Sequence, residues 1–377
     1  MPDCADVSNV ERTPPSVPSS RPHRAARLED RITSNVARFL GRRGWVARVE
    51  PYTGYGAPGW VRVMARALLA APGTQVAEAS ERDADAGSRA IRGWRSFLTA
   101  QVPSAVVEVR VGGRTHHVTA DRGGYVDAVI EADLTPGWHD VVLRLGGQEI
   151  TAPVLIVASE TTTALVSDID DTVMVTALPR PLLAAWNGLV LHEHARKVVP
   201  GMAGLYHRWE GQHPGAPTFY LSTGAWNVAP ALRRFLGRHG YPAGPLLLTD
   251  WGPTNTAWFR SGQQHKLSSL RRLVQEFPQI HWVLVGDDGQ HDPQIYADIA
   301  REHPDRISVI AIRELTPAEQ LLAHGTPAPS QEKSVAERGP TPVVVHGGDG
   351  NALALALLDE GVLLPAEPGR YADPDDA

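Results

Sequence analysis

The pattern of apolar and polar positions changes character near residue 160. From Trp45 to Ala158, apolar and polar residues mostly alternate, as they do over Val107 to Val111, and the diglycines at 112–113 and 146–147 interrupt two such runs. Alternation on both sides of a diglycine is typical of a β-hairpin. This region therefore predicts an antiparallel β-sandwich. Its further predicted elements are a strand over Val61–Leu69 and a helix over Ala86–Leu98.

After Glu160, short apolar runs alternate with longer stretches of helical periodicity. In the clearest of these stretches, Leu267, Leu270 and Phe277 recur at helical spacing. This alternation indicates an α/β fold, a doubly wound parallel sheet with crossover helices. The predicted strands are Ala164–Val166, Thr218–Leu221, Pro245–Leu248, Trp282–Val285 and Ile307–Ile312.

The length of 377 residues suits two or three domains. Residues 325–340 are polar and rich in helix-breaking residues, which indicates a linker. The predicted organisation is a disordered leader at 1–30, a β-sandwich accessory domain with a helical insertion at 31–160, an α/β domain at 161–324, the linker, and a C-terminal segment at 341–377. In that last segment a strand, a glycine turn and a helix are expected, with no role assigned.

Composition and charge exclude several classes of protein. Lys and Arg total 36 against 42 Asp and Glu, a net charge of −6, and neither sign forms a long block, so no nucleic-acid partner is expected. The single cysteine, Cys4, precludes an internal disulfide and suits a reducing compartment. No apolar run is long enough to predict a transmembrane helix. We therefore expect a cytoplasmic protein that is at most peripheral to a membrane.

Acidic residues follow the first strand of the α/β region. Asp168 and Asp170 come directly after the apolar run and, at strand spacing, project to the same side about 7 Å apart. Open α/β sheets bind ligands at the carboxyl ends of their strands. Taken alone, such aspartates are more often turn and helix-capping residues.

Chemically matched residues follow two other strands. Ser222 and Thr223 come after the second apolar strand, and Asp287 and Asp288 come after a later one, with Lys266 just upstream at the start of a helix. Each has an ordinary alternative: a serine caps helices, and a lysine lies in solvent. Asp292 fits a helix N-cap as well as it fits a site, and both roles stay open. The joint pattern indicates phosphoryl transfer, with Mg²⁺ as the cation that clustered carboxylates require.

The motifs resemble those of the haloacid dehalogenase (HAD) superfamily. DIDDT at 168–172 matches its DxDxT motif, and Ser222, Lys266 and GDDGQHD at 286–292 follow in the order of its other three motifs. More narrowly, the runs SDIDDT, LSTGAWN, TDWG, HKL and VLVGDDGQHDP resemble the catalytic domain of the actin-patch-associated phosphatidate phosphatases. The resemblance extends over about Thr163 to Leu315 and implies a HAD-like sheet.

The resemblance also implies roles for individual residues. Asp168 would be the nucleophile that becomes an aspartyl phosphate, and Asp170 the general acid and then base. Ser222, Thr223 and Lys266 would hold the phosphoryl oxygens. The implied Mg²⁺ ligands are Asp168, the backbone carbonyl of Asp170, Asp287, and Asp288 either directly or through water.

The substrate remains open between three alternatives. The resemblance implies hydrolysis of phosphatidate to diacylglycerol, with a phospholipid substrate and peripheral membrane contact. A phosphatase of a soluble phosphomonoester would use the same chemistry, and a non-catalytic binding protein is the third alternative. Residues 173–190 are apolar and include Trp186, so they predict either a buried helix or a lipid-facing surface beside the nucleophile.

Three other motifs resemble functional sites but lack a feature that the function needs or have a simpler interpretation. Gly54 to Gly59 fit GxGxxG, but a strand-like run follows instead of the helix that a dinucleotide site needs. LHEHAR has Arg196 where a zinc protease needs its second histidine. HGGDG at 346–350 is interpreted as a tight turn rather than a phosphate-binding turn.

Overall fold

A computed structural model gives the structure of the protein, and it describes residues 39–40, 42–70, 100–175, 197–249, 258–289, 291–324 and 342–365. Two sheets organise these residues. The first is predominantly antiparallel and the second is entirely parallel, so the mixed α/β class is confirmed. The predicted helix over Ala86–Leu98 lies outside the described residues.

Nine strands of the described chain form the antiparallel sheet. Both diglycine hairpins are present, with turns at 112–113 and 146–147. The glycines in these turns have positive φ, a conformation that side chains with a Cβ disfavour. The strands are β1 (Val46–Pro51), β2 (Gly54–Ala57), β3 (Gly59–Ala70), β4 (Ala100–Gln101), β5 (Val106–Val111), β6 (Arg114–Thr119), β7 (Tyr125–Ala132), β8 (Gly137–Leu145) and β9 (Gln148–Ile156).

Hydrogen bonds connect these strands into one sheet in the order β1-β3-β2-β9-β8-β5-β6, with β4 and β7 also paired to β3. β2 and β9 pair in parallel, whereas the other pairs are antiparallel. Alternate residues of β3, β5, β7, β8 and β9 share one core, composed mostly of valine and alanine. The antiparallel character agrees with the prediction, while the division into two stacked sheets stays a prediction. GxGxxG falls across β2 and β3, which are strands and not the start of a helix.

Six described strands form the parallel sheet, in the order β12-β11-β10-β13-β14-β15. The five apolar runs correspond to its first five strands, and their alternation with helices explains the parallel pairing. The elements are β10 (Thr163–Asp168), α1 (Met202–Gln212), β11 (Thr218–Ala225), α2 (Ala229–Arg238), β12 (Leu246–Thr249), α3 (Trp258–Glu276), β13 (His281–Asp287), α4 (Asp292–Glu302), β14 (Ile307–Arg313), α5 (Pro317–His324), β15 (Val343–Gly347) and α6 (Gly350–Asp359).

The C-terminal strand and helix belong to the parallel sheet. β15 pairs with β14 over Val343–Gly347, and α6 packs on α1. The HGGDG motif makes the turn between β15 and α6, where Asp349 caps the helix by accepting a hydrogen bond from the Ala352 amide (2.8 Å). The strand, glycine turn and helix are therefore present as expected.

The two sheets are joined by an aromatic and ionic interface. Tyr52 stacks on Trp226 with ring centroids 4.3 Å apart. Arg62 of β3 is buried and donates to Glu276 of α3 through Nη2 (2.5 Å), while Tyr55 Oη donates to the other Glu276 oxygen (2.8 Å). These contacts fix β3 against the helix that carries Lys266. No helix of the described part of the chain has the length and apolar character needed to cross a membrane.

Candidate active site

The central strand of the parallel sheet delivers the first pair of aspartates. β10 lies between β11 and β13 and ends at Asp168, which is fully buried. Asp170 follows in the loop and is also buried. Behind them, Ser167 Oγ bonds to the Asp168 carbonyl and to Tyr206 Oη, both at 2.6 Å, so the end of the strand is held from the core side.

Ser222, at the carboxyl end of β11, is hydrogen-bonded to Asp170. Its hydroxyl donates to Asp170 Oδ2 (2.8 Å) and accepts from the Gly224 amide (2.9 Å). Thr223 lies beside it and is partly exposed; its carbonyl accepts a hydrogen bond from Thr249 Oγ1 at 3.2 Å. Because the Gly224 amide occupies one acceptor position of the hydroxyl, the Ser222 proton is directed at Asp170.

Lys266 of α3 joins two carboxylates. Its side chain is 2% exposed, and Nζ lies 2.7 Å from Asp168 Oδ1 and 2.6 Å from Asp292 Oδ1. Burial alone would lower the pKa of Lys266, but Asp168 and Asp292 outweigh it and hold the pKa above its ordinary value. The residue therefore carries a fixed positive charge at the end of β10.

Asp287 and Asp292 complete a buried carboxylate cluster with Asp168. Ligand oxygens of the three residues all lie within 4.8 Å of one another. Asp287 Oδ1 accepts from the Gly289 amide (2.8 Å). His291 is the N-cap residue of α4 and Asp292 is its first helical residue. One Asp292 carboxylate oxygen pairs with Lys266, and the other has no hydrogen-bond partner among the described residues. Of the two roles that the sequence left open for Asp292, the geometry therefore favours the site.

Asp288 lies apart from this cluster. Its carboxylate is half-buried and accepts a hydrogen bond from the Leu315 amide (2.8 Å). The neighbouring aspartate, Asp287, points the opposite way because side chains alternate at a strand end. A role for Asp288 as a metal ligand stays a prediction, and in this geometry its carboxylate fastens the loop after β14.

Burial and mutual repulsion raise the pKa values of Asp168 and Asp287. For Asp168 the main cause is desolvation, which Lys266 opposes and Asp292 and Asp170 reinforce. For Asp287 desolvation again comes first, followed by the charges of Asp292 and Asp168. Three buried carboxylates share one ammonium group, so the site stabilises an added cation.

The oxygens of the carboxylate cluster bear on whether it could hold a divalent cation. One oxygen of Asp287, one of Asp292 and both of Asp168 are buried without a hydrogen-bond partner among the described residues, although Asp168 Oδ1 is ion-paired with Lys266. Buried carboxylate oxygens without partners are costly, and they are the hard ligands that Mg²⁺ selects. The residues present therefore fit the cation that the motifs imply.

Arg313 was missed in the sequence and lies beside the site. It is buried at the end of β14, where Nη1 donates to the Asp171 carbonyl (2.7 Å) and Nη2 pairs with Glu319 (2.7 Å). Asp171 has a positive φ of 58° in the loop after β10. The signal that could have identified Arg313 is a charged residue directly after an apolar run. The same signal identified the aspartates.

The apolar segment with Trp186 cannot be placed in the site. Val173 and Met174 are fully buried, but residues 176–196 lie outside the described residues, as does the LHEHAR motif. The interfacial hypothesis for Trp186 stays a prediction.

Comparison with known proteins bears on the parallel-sheet region. Residues 163–314 match the family model described as phosphatidate phosphatase APP1, catalytic domain. This segment is similar to the APP1 catalytic domain. It contains all of the site residues named above, from Asp168 to Arg313, and the family resemblance predicted from the motifs is confirmed.

Two curated relatives extend the match. Phosphatidate phosphatase APP1 of Saccharomyces cerevisiae is 24% identical over 237 residues, which cover 58% of this chain and 39% of that protein. An uncharacterised protein of Schizosaccharomyces pombe is 26% identical over 153 residues, covering 40% of this chain and 25% of that protein. The chain thus spans well under half the length of either relative.

Solved structures add little. A carbohydrate acetylesterase from Xanthomonas citri is 10% identical, with 74% of this chain and 76% of that chain covered at a TM-score of 0.27. A likeness this weak supports neither a fold nor a function.

Proposed function

We propose that this protein is a Mg²⁺-dependent phosphatase of the HAD type that hydrolyses phosphatidate to diacylglycerol through an aspartyl phosphate on Asp168. The observation that carries the proposal is the buried cluster of Asp168, Lys266, Asp287 and Asp292 at the end of the central strand. It lies inside the segment that matches the APP1 catalytic domain, and the yeast relative is named a phosphatidate phosphatase.

The topology supports the HAD-like assignment. The first, second and fourth motifs lie at the carboxyl ends of β10, β11 and β13, and the third lies on α3. The residues of all four motifs therefore converge on the carboxyl edge of the parallel sheet. Ligands of open α/β sheets bind at this edge. For the antiparallel region we retain the β-sandwich as part of the proposal, because β3 and β7 share one core with β5, β8 and β9.

The residues divide the reaction into two displacements. A carboxylate oxygen of Asp168 attacks phosphorus, the bond from phosphorus to the ester oxygen breaks, and Asp170 protonates that oxygen as it leaves in diacylglycerol. Water then attacks phosphorus, gives its proton to Asp170, and releases inorganic phosphate from Asp168. Covalent catalysis of this kind replaces one difficult step with two easier ones.

The remaining groups bind and orient. Lys266 neutralises phosphoryl oxygen charge from a position already set by two ion pairs. Ser222 fixes the rotamer of Asp170 through its 2.8 Å hydrogen bond in the free site, and its hydroxyl would rotate to donate to the phosphoryl group once substrate binds. Asp168, the Asp170 carbonyl and Asp287 would hold Mg²⁺, with Asp292 close by. When bound, the ion supplies charge neutralisation for the phosphoryl oxygens.

Phosphate release tests the proposal. The full-length protein would be assayed on dioctanoyl phosphatidate in mixed micelles and on the soluble esters glycerol 3-phosphate and p-nitrophenyl phosphate, each with Mg²⁺ or with EDTA. We expect Mg²⁺-dependent turnover, fastest on phosphatidate, that is lost in Asp168→Asn and retained in the exposed control Asp305→Asn.

Each alternative has its own result in this assay. Equal or faster turnover of a soluble ester would transfer the proposal to a soluble phosphomonoester. Turnover that survives in EDTA or in folded Asp168→Asn would overturn the mechanism. No turnover of any ester by the wild type would favour the non-catalytic binding protein. A phosphatidate substrate also implies peripheral contact with a bilayer, and sedimentation with phosphatidate-containing vesicles would test that contact.

A further inference from the structure

A cavity of about 280 Å³ lies between the antiparallel sheet and the parallel-sheet region. The antiparallel sheet and its loops contribute Tyr52, Met64 and Tyr125 to the wall, and the parallel-sheet region contributes Trp226, Leu248 and His265. Neither region encloses the space by itself. The cavity therefore exists only because the two regions pack together.

The cavity wall is a little over half apolar, and its two charged side chains are paired with each other. Aromatic and aliphatic side chains form much of its surface. Arg272 also lines it, but its guanidinium is paired with Asp127 (3.1 Å), another lining residue. His265 is neutral at pH 7 because burial lowers its pKa to about 4. Apolar pockets with a few polar groups are typical of small-molecule sites.

Three segments that line the cavity also build the candidate active site. Trp226 follows Ser222 by four residues, and His265 directly precedes Lys266. Leu248 precedes Thr249, whose hydroxyl bonds to the carbonyls of Thr223 and Gly224 at 3.2 Å. The cavity and the phosphoryl site are thus built on the same three segments of the chain, at the ends of β11 and β12 and on α3.

We propose that this cavity is the acyl-chain subsite of the enzyme, holding one chain of the phospholipid whose phosphate meets Asp168. The inference rests on the proposed function and adds a role for the antiparallel sheet, which supplies one wall of the subsite. An acyl chain would pack against the aromatic and aliphatic part of the wall, and it adds no charge to a wall whose charged side chains are already paired. Each buried methylene contributes about fourfold to affinity, so a short segment of chain is enough to give specificity.

Binding to a form that does not turn over tests the subsite. In the Asp168→Asn background, calorimetry would compare dihexanoyl phosphatidate with glycerol 3-phosphate, which has the same headgroup and no chains. Ser268→Trp would fill the cavity from its exposed rim, since Ser268 lines the cavity and is solvent-exposed. Gln264→Trp is the matched control, an equally bulky change at an exposed position of α3 that does not line the cavity.

We expect the lipid to bind at least about tenfold more tightly than glycerol 3-phosphate. Ser268→Trp should reduce that ratio to near one, and Gln264→Trp should keep it, with circular dichroism confirming that both variants fold. A ratio of one in the background, or a ratio that Ser268→Trp does not change, would overturn the subsite.

The two proposals fail separately. If the ratio depends on Ser268 but the wild type hydrolyses no phosphate ester, the cavity stands as a lipid site and the phosphatase proposal fails. If the wild type hydrolyses phosphatidate and Ser268→Trp does not change the affinity ratio of lipid to glycerol 3-phosphate, the phosphatase proposal stands and the subsite proposal fails.

Discussion

The antiparallel and parallel regions of this protein place polar groups in their interiors very differently. Of the buried polar or charged side chains in the described ranges, only Thr53 and Arg62 lie in the antiparallel region, and Arg62 is paired with Glu276 across the interface. The parallel region buries the others, and several of them converge on one strand end. The antiparallel core is mostly valine and alanine.

This difference separates stability from chemistry. An apolar core stabilises the fold by burying surface, whereas a cluster of like charges is unfavourable until a cation or substrate arrives. The cost is tolerated where function needs it. A substitution in one region should therefore change stability and spare the chemistry, and a substitution in the other should do the reverse.

The largest effect is expected from Asp168→Asn. Loss of the proposed nucleophile should reduce phosphatase turnover by about 10³-fold or more. In Mg²⁺-free protein, thermal unfolding should occur at the same temperature or higher, because one of three clustered carboxylates loses its charge while Lys266 keeps Asp292. Calorimetric melting checks this. Destabilisation by more than about 1 kcal/mol would mean that the carboxylate is structural.

Leu143→Ala should show the opposite behaviour. Leu143 is fully buried in the antiparallel core, and removing its side chain should reduce the free energy of unfolding by about 2–5 kcal/mol. Turnover of p-nitrophenyl phosphate should stay close to wild type at temperatures where the variant is folded. Urea unfolding and the phosphatase assay measure the two effects. A proportional loss of turnover in fully folded protein would mean that the antiparallel core controls the site.

Stabilisation of the fold by bound Mg²⁺ should distinguish the two adjacent aspartates, Asp287 and Asp288. Mg²⁺ at about 100 times its Kd should stabilise the wild type by about 2.7 kcal/mol. Asp287→Asn should lose most of this gain, since Asp287 belongs to the carboxylate cluster. Asp288→Asn should keep it, because an asparagine oxygen can still accept from the Leu315 amide. Melting with and without Mg²⁺ checks both, and the reverse order would assign the ligand to Asp288.

Where the signal was local, the sequence predicted which residues meet at one edge of the parallel sheet. Five of the predicted residues lie at or near the ends of apolar runs, and the parallel order of the strands brings them to one edge of the sheet. These residues are Asp168, Asp170, Ser222, Lys266 and Asp287. The position of a residue after an apolar run does not predict the direction in which its side chain points. Asp287 and Asp288 are equivalent in the sequence, yet the pleat sends one carboxylate into the cluster and the other to the Leu315 amide.

Contacts between residues far apart in the sequence could not be predicted either. Arg62 meets Glu276 across 214 residues, and no periodicity or motif encodes that pairing. The same reason explains why the sequence showed the antiparallel runs but not the sheet order in which β3 pairs with β1, β2, β4 and β7. The interface, and the cavity within it, had to be seen in the structure.

The smallest effect expected concerns His265, where the two regions meet. Burial lowers the pKa of His265 from its ordinary 6.5 to about 4, with the hydrogen bond to the Leu247 carbonyl opposing the shift. Above about pH 6.5 the residue is neutral in both folded and unfolded states and adds no pH dependence. Between pH 6.5 and 4 the unfolded chain binds a proton at His265 and the folded chain does not. The free energy of unfolding therefore falls as pH falls, by at most about 1.4 kcal/mol per pH unit.

His265→Gln should keep a donor for the Leu247 carbonyl and flatten the dependence of the free energy of unfolding on pH, whereas exposed His117→Gln should leave that dependence unchanged. Urea unfolding at pH 7, 6 and 5 measures the slope, and equal slopes in wild type and His265→Gln would mean that His265 is protonated in the folded protein.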